Sequence, residues 1–340
     1  MTKKGEERKR ILVRSLKIGV GSAVSIWIAT LLQLDFAMSA GIVTLLSVVS
    51  TKWDTLKLLG ARIVSFWLSV LVIYLLFQTI HSPWIAYALY IFILVLCSNL
   101  VDWGSTVSVN AVIGTHFMTK MDFSYHFIFN EFIMMFLGAA VAMLLNLWQG
   151  NRSLRRRLDD DVIYIEGCLQ RIFSEMAGYL LHERIPKNVW QDIIDLEHHL
   201  ERAIADAFMY RGNAFSVHAD YYVHYIEMRI RQSGLLHNLH YEVKAIRESK
   251  EEADRLADCL LAIREQITRY EEVERNIGLV SDMLAEARRE RLPVTGEELD
   301  NRIRYYHILK DLEDFVIYKK RFLAMLTPIH KEIYWKHRYD

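Results

Sequence analysis

Arg62, Glu131 and His116 are ionisable side chains set at the edge of, or inside, long apolar runs. A charge within a membrane span costs about 2.5–3.5 kcal/mol on insertion scales and usually faces a water-filled path. Arg62 follows Lys52 and Lys57, and together they would supply a positive field that gathers anions. The planar guanidinium also matches a carboxylate bidentately, which an ammonium cannot do. Glu131 or His116 would carry protons. Plainer readings compete: Arg62 snorkelling to cytoplasmic headgroups, and Glu131 resting at the outer interface. Lys52, Lys57, Arg62, Asn110 and His116 are therefore the candidates for a substrate pathway, and Glu131 for proton coupling.

Other chemistries are missing from the sequence. It contains no GxxxxGK[ST], GxGxxG or HExxH pattern, so neither ATP hydrolysis nor any other enzyme activity is expected. His198-His199 and the His237/His240 pair have no Cys or third ligand beside them, and read as a solvated surface rather than a metal site. Cys97, Cys168 and Cys259 are far apart and form neither a disulfide framework nor a ligand spacing. No cofactor, metal or nucleic-acid partner is expected.

The elements that must position the candidates are apolar. Ile63–Val101 runs thirty-nine residues without Asp, Glu, Lys or Arg. One helical crossing needs only ~20 apolar residues, so this stretch is long enough to cross twice. His81-Ser82-Pro83 is its one polar break, and Pro83 sets a tight turn between Ile63–Ile80 and Trp84–Val101. Ile18–Leu34 precedes this hairpin, followed by a short run, Phe36–Thr51, and a polar loop from Lys52 to Lys57. Trp103–Thr119 and Phe127–Trp148 come after it. That makes six spans. The seven basic residues from Lys3 to Lys17, the Lys52–Arg62 stretch and Arg152, Arg155, Arg156 and Arg157 then share one side, with Lys120 on the other. Lys/Arg excess marks the cytoplasm, so both termini are expected there.

The second and fifth spans are short and rich in small and hydroxyl residues: Ser39-Ala40-Gly41, Thr44 and Ser47 in one, Ser105-Thr106, Ser108, Asn110, Gly114 and Thr115 in the other. They hold matching places in the two sets of three. Short segments at matching positions point to a transporter's binding site, although small residues also simply let helices pack closely.

Charge changes at Gly150. Residues 1–150 hold eleven Lys/Arg and seven Asp/Glu, whereas residues 151–340 hold thirty and thirty-four. The expected division is a transmembrane domain over 1–150 and a cytoplasmic α-helical domain over 151–340. In the latter, amphipathic helices are predicted over Ser153–His182, Lys187–Arg211, Ala219–Ile246, Glu251–Arg291 and Glu297–Leu326. Gly212-Asn213 marks a turn, and Thr295 with Glu298 marks a capping box. Leu256, Leu260, Ile263, Ile267, Tyr270 and Ile277 form a coiled-coil-like seam, with a similar stripe through Leu299, Ile303, Tyr306, Leu309, Leu312 and Val316. The fold class is all-α: six transmembrane helices followed by a cytoplasmic helical bundle.

Several stretches resemble the aromatic acid exporter family of bacteria. They are Ser39-Ala40-Gly41-Ile42-Val43-Thr44-Leu45-Leu46-Ser47, Thr51-Lys52 with Arg62, Asn110-Ala111-Val112-Ile113-Gly114-Thr115-His116, and Asn130-Glu131 to Leu145-Asn146-Leu147. The second half is similar to that family's cytoplasmic domain, above all at Tyr221-Tyr222-x-x-Tyr225-x-x-Met228-Arg229-x-x-Gln232. More distantly, the layout is similar to fusaric acid resistance proteins and plant malate channels. The resemblance implies an exporter of small organic anions, aromatic carboxylic acids foremost, in the bacterial cell membrane and not driven by ATP. It also implies a homodimer or higher homo-oligomer, because larger members carry two membrane modules and this chain has one. A passive organic-anion channel and a membrane-anchored scaffold or sensor are the alternatives.

Overall fold

A computed structural model describes residues 3–48, 51–147, 152–182, 188–214, 218–246, 250–269 and 273–336. Every regular element among them is helical. The chain divides into two compact units, Met1–Gly150 and Asn151–Asp340.

The first unit holds α1 (Lys3–Leu31), α2 (Ala37–Ser47), α3 (Lys52–Thr79), α4 (Pro83–Leu100), α5 (Val107–Lys120) and α6 (Tyr125–Leu147). Four helical segments are long and apolar enough to cross a membrane: Ile11–Leu31 of α1, then α3, α4 and α6. At 11 and 14 residues, α2 and α5 rise only about 16 and 21 Å, less than the ~30 Å of a hydrocarbon core. The four long helices make this a membrane protein. Pro83 occupies the first turn of α4, where its missing amide is no loss.

One expected loop is helix. Lys52, Trp53, Asp54 and Lys57 form the first turns of α3 and run unbroken into Arg62. The cause is local capping: Thr51 is extended, its hydroxyl accepts from the Asp54 amide at 3.2 Å, and Asp54 places negative charge in the first turn.

α2 is seated between α1 and α6 by glycines. A Cβ on Gly138 would lie 2.6 Å from the Ala40 carbonyl oxygen, and one on Gly41 would lie 2.7 Å from the Ile26 side chain. Close backbone approach at small residues is how helices pack in lipid. The Thr44 hydroxyl bonds across the approach to Gly138 O at 3.1 Å and meets Ser25 Oγ at 2.5 Å. Phe66, Ile73, Tyr90, Ile113, Phe117, Met134 and Met135 fill the rest of this core.

The second unit holds α7 (Arg152–Leu180), α8 (Val189–Asn213), α9 (Tyr221–Ala245), α10 (Lys250–Glu265), α11 (Val273–Arg289), α12 (Gly296–Met325) and a short α13 (Pro328–Lys331) that is followed by a π-helical stretch, Glu332–Lys336. α9 is the central helix and buries its aromatic run, Tyr221, Tyr222 and Tyr225, in the core. The expected single helix over Glu251–Arg291 is two, parted after Glu265. Buried cations from distant helices hold the break open. Arg229 Nη2 donates to Ile267 O at 2.9 Å, while Lys319 Nζ donates to the carbonyls of Gln266 and Arg269, and to Ile267 O at 3.3 Å. Helix C-terminal carbonyls lack intrahelical partners and favour cations, so these contacts stabilise an end here rather than a continuation.

Other details depart from expectation as well. α8 runs through Gly212 and Asn213 and caps at Ala214, with Asn213 Nδ2 bonded to Met209 O at 2.9 Å. The stripe of α12 is buried at Leu309, Leu312 and Val316, but Leu299 and Ile303 are exposed because the helix's first turns extend beyond the core. Tyr270, Pro186, Lys187 and the Gly150-Asn151 stop lie outside the described residues. Thr295 caps α12 by accepting from the Glu298 amide at 3.2 Å, and the Glu298 carboxylate accepts from Val294 N at 2.8 Å. All three cysteines are free; burial pushes the Cys259 thiol up to about 12.

Candidate functional site

Asp35 and Phe36 turn the chain from α1 into α2. Phe36 takes a left-handed backbone, φ 56° and ψ 35°, which is a true outlier for so bulky a residue. Its ring stacks on His116 of α5, with centroids 4.0 Å apart and planes 2° from parallel. Asn130 of α6 ties the same turn down: Asp35 N donates to Asn130 Oδ1 at 2.9 Å, and Asn130 Nδ2 donates to Asp35 O at 3.3 Å.

His116 is bonded on both ring nitrogens. Nδ1 meets Glu131 Oε2 at 2.6 Å and Nε2 meets Ser39 Oγ at 3.0 Å. Glu131 is fully buried, and its other oxygen accepts from Asn130 Nδ2 at 3.3 Å. A buried chain of carboxylate, imidazole and hydroxyl therefore joins α6, α5 and α2. It can hold a proton at Glu131 or His116 and hand it between them. These residue types in this order also serve acyl transfer, but that requires an accessible nucleophile, and Ser39 is only 7% exposed.

Arg62 sits elsewhere, at the C-terminal end of α2. Its Nη2 donates to Leu46 O at 2.8 Å, and its Nη1 reaches Ser47 Oγ and Val43 O. Only 1% of the residue is exposed, so it neither snorkels nor stands free in water. It pairs with no carboxylate among the described residues, and its Nε has no hydrogen-bond partner there. The site is a half-helix terminus with the guanidinium laid over its carbonyls, an arrangement the helix dipole favours.

Asn110 holds α5 against α3 and α4. Its side chain donates to Ser65 Oγ at 2.9 Å and its carbonyl accepts from Tyr90 OH at 2.7 Å. Tyr90 OH also meets Ser69 Oγ, and Gly114 leaves room for the Tyr90 ring, since a Cβ there would fall 2.5 Å from Cε1. Ser65, Ser69, Tyr90, Ser98 and Trp103 line a largely apolar groove between α3 and α4.

The structure joins His116 to Glu131 and sets the other sequence candidates apart. Lys52 is half-buried and Lys57 exposed, its Nζ 5.7 Å from the Trp53 ring centroid. Lys52 and Arg62 are separated by about 15 Å of helix rise. Ser39, Phe36, Asn130 and Tyr90 were not sequence candidates. Ser39 carried a signal in its small-residue run, whereas nothing in the sequence marks Phe36 or Tyr90.

In the second unit the Tyr221–Gln232 run forms a buried polar network. Arg229 Nε donates to Tyr225 OH at 3.0 Å, Nη1 donates to Gln232 Oε1 at 2.9 Å, and Glu166 lies 3.5 Å from Nη2. Tyr225 OH donates to Glu166 Oε1 at 2.7 Å. Burial, aided by Arg229, holds Lys319 well below the usual lysine range. The histidines expected on a solvated surface are not all there. His240 is buried beside Tyr179 and Trp190, and burial lowers its pKa. His237 pairs with Glu197 at 3.1 Å. Among the described residues no three His, Cys, Asp or Glu gather as a metal site.

Two family models match the chain: aromatic acid exporter family member 1 over residues 9–148, and the aromatic acid exporter C-terminal domain over residues 155–320. The uncharacterized protein YqjA of Bacillus subtilis (strain 168) is 28% identical over 316 residues, covering 92% of this chain and 96% of that one. A membrane-protein crystal structure from Clostridium difficile 630 aligns with 50% of this chain and 99% of its own, at 14% identity and a TM-score of 0.44.

Proposed function

Because this chain belongs to the aromatic acid exporter family, we propose that it exports small organic anions, aromatic carboxylates foremost, across the bacterial cell membrane without ATP. The observation that carries the reading is the buried Glu131–His116–Ser39 chain, at 2.6 and 3.0 Å, which links the two short helices α2 and α5 to α6. Protonatable groups buried in a membrane unit mark proton relays, and short helices at matching places mark transport sites. In this reading α2 and α5 complete a set of six membrane elements, and both termini lie in the cytoplasm, as the Lys/Arg distribution favours. Lys52 and Lys57 gather the anion at the inner mouth, Arg62 keeps the end of α2 in place beside its path, and Asn110 supports that path.

Proton coupling follows from the pair. While Glu131 is ionised it accepts from His116 Nδ1; a proton taken up from outside neutralises the carboxylate and frees the imidazole to re-orient against Ser39. Uptake of labelled benzoate into proteoliposomes, measured with and without a pH gradient, tests this. Wild type should accumulate anion against its gradient only when a pH gradient is imposed. Glu131→Gln should lose that dependence yet keep downhill flux. Unchanged gradient dependence in the variant would remove Glu131 as the carrier, and no anion movement under any condition would remove the transport reading. The proposal includes assembly as a homodimer or higher oligomer, and an active monomer by light scattering in mild detergent would dismiss it.

A further inference from the structure

An open cleft in the second unit lies between α7 and the end of α10, with about 1110 Å³ of space including its mouth. Arg171 from α7 and Arg264 and Arg269 from the α10 end converge on it, with Gln170, Ser174 and Thr268 as neutral hydrogen-bonding groups. Several arginines of this unit are matched by carboxylates, as Arg157 is by Asp206, Arg255 by Glu286, Arg302 by Glu290 and Arg304 by Glu242. In the cleft, among the described residues, the pairing is weaker. Among the described residues, Arg171 Nη2 finds a hydrogen-bond partner in the Cys168 sulfur, at 3.1 Å, a weak acceptor. Arg264 bonds Ser174 Oγ at 3.3 Å and touches Glu265 at 3.5 Å, and that glutamate is mostly exposed. The Arg269 guanidinium has no hydrogen-bond or ion-pair partner among the described residues.

The backbone helps to set this arrangement. The carbonyls of Gln266, Ile267 and Arg269 turn inward to Arg229 and Lys319, so this short segment is fixed while its side chains line the cleft. The opposite wall is bare at Gly167, where a Cβ would meet nothing within 4 Å. Glu175 and Glu265 also line the cleft, so an incoming anion must compete with two carboxylates for three guanidinium groups. Guanidinium forks bind carboxylate and phosphate oxygens through parallel charge-assisted bonds. We propose that this cleft is a binding site for a small oxyanion, a carboxylate or a phosphate, on the unit that follows the membrane helices. The proposal does not depend on the transport reading.

Calorimetric titration of the full-length protein in detergent tests it, with benzoate, inorganic phosphate and chloride as separate probes at matched ionic strength. Saturable binding of benzoate or phosphate beyond chloride is expected, and whichever binds tighter identifies the source. Arg171→Gln combined with Arg264→Gln should weaken binding at least tenfold, whereas Arg302→Gln should leave it unchanged. Two variants keep the test free of folding artefacts. Gly167→Glu removes a helix-interior glycine into open space, so stability should hold or rise, yet the new carboxylate should reduce binding tenfold or more. Glu265→Gln removes a competitor for Arg264 and should tighten binding about threefold. Equal heats for all three probes, or binding indifferent to both Gly167→Glu and the double arginine variant, would overturn the proposal.

Discussion

Arg62 and Arg229 are the two bulkiest fully buried side chains among the described residues, one in each unit, and both bind carbonyls at or just beyond a helix C-terminus. Their surroundings differ. Each nitrogen of the Arg229 fork has a partner, and Glu166 lies 3.5 Å away to balance its charge. Arg62 has α2 carbonyls and Ser47, no carboxylate, and a buried Nε without a partner. A fully bonded network rigidifies a core. A buried charge left without a counter-ion is costly, and in a membrane protein it is usually kept for function. On the proposed transport reading, Arg229 serves stability and Arg62 serves the anion path.

Removing Arg229 is the strongest way to break that contrast. Arg229→Leu takes a counter-charge from buried Glu166 and a donor from Ile267 O, so a loss of about 3–5 kcal/mol is expected for the second unit. Thermal unfolding of the full-length protein reads it, and a change under about 1 kcal/mol would return Arg229 to the standing of a surface arginine.

Lys319 sharpens the same side. Lys319→Met removes the donor from carbonyls of the 266–269 segment, and each carbonyl left bare costs about 1–3 kcal/mol. Its pH dependence has a definite sign. The unfolded lysine keeps its proton to about 10.4, whereas burial makes the folded one release it well below that. The unfolded state therefore binds more protons across that window, and stability should rise as pH rises through it. Denaturant titrations from neutral to mildly alkaline pH should show this slope in wild type and a flatter one in Lys319→Met. Equal slopes would remove Lys319 as its source.

Arg62 should behave in the opposite way. Arg62→Lys keeps the charge but cannot span Leu46 O and Ser47 Oγ with one planar group. At matched membrane abundance its transport is expected to fall about tenfold, equivalent to about 1.4 kcal/mol, and that of Arg62→Gln further. Its melting temperature should move less than that of Arg229→Leu. Transport by Arg62→Lys equal to wild type, or melting shifts as large as those at Arg229, would erase the difference between the two arginines.

Much of the architecture could be read from the chain alone, because the cues were local. The charge-free run at Ile63–Val101 with Pro83 inside it becomes α3 and α4 joined at Ile80–Ser82, and Thr295 starts α12 where its spacing to Glu298 indicated. Lys52–Lys57 is helix where a loop is expected, because charge near an apolar run resembles a loop while the cap at Thr51 acts over only three residues.

Composition and periodicity by themselves determined that this is an all-helical membrane protein with a charged helical second half, because the cost of exposing apolar surface or burying charge is written into each stretch of residues. Only the tertiary structure decided which residues act together. Glu131, His116 and Ser39 meet across separations of 15 and 77 positions, and Lys319 reaches back 53 to end α10 at a point where the periodicity simply continued. A hydrophobic pattern reports which face of a helix is buried, but not which distant donor comes to its carbonyls; packing settles that.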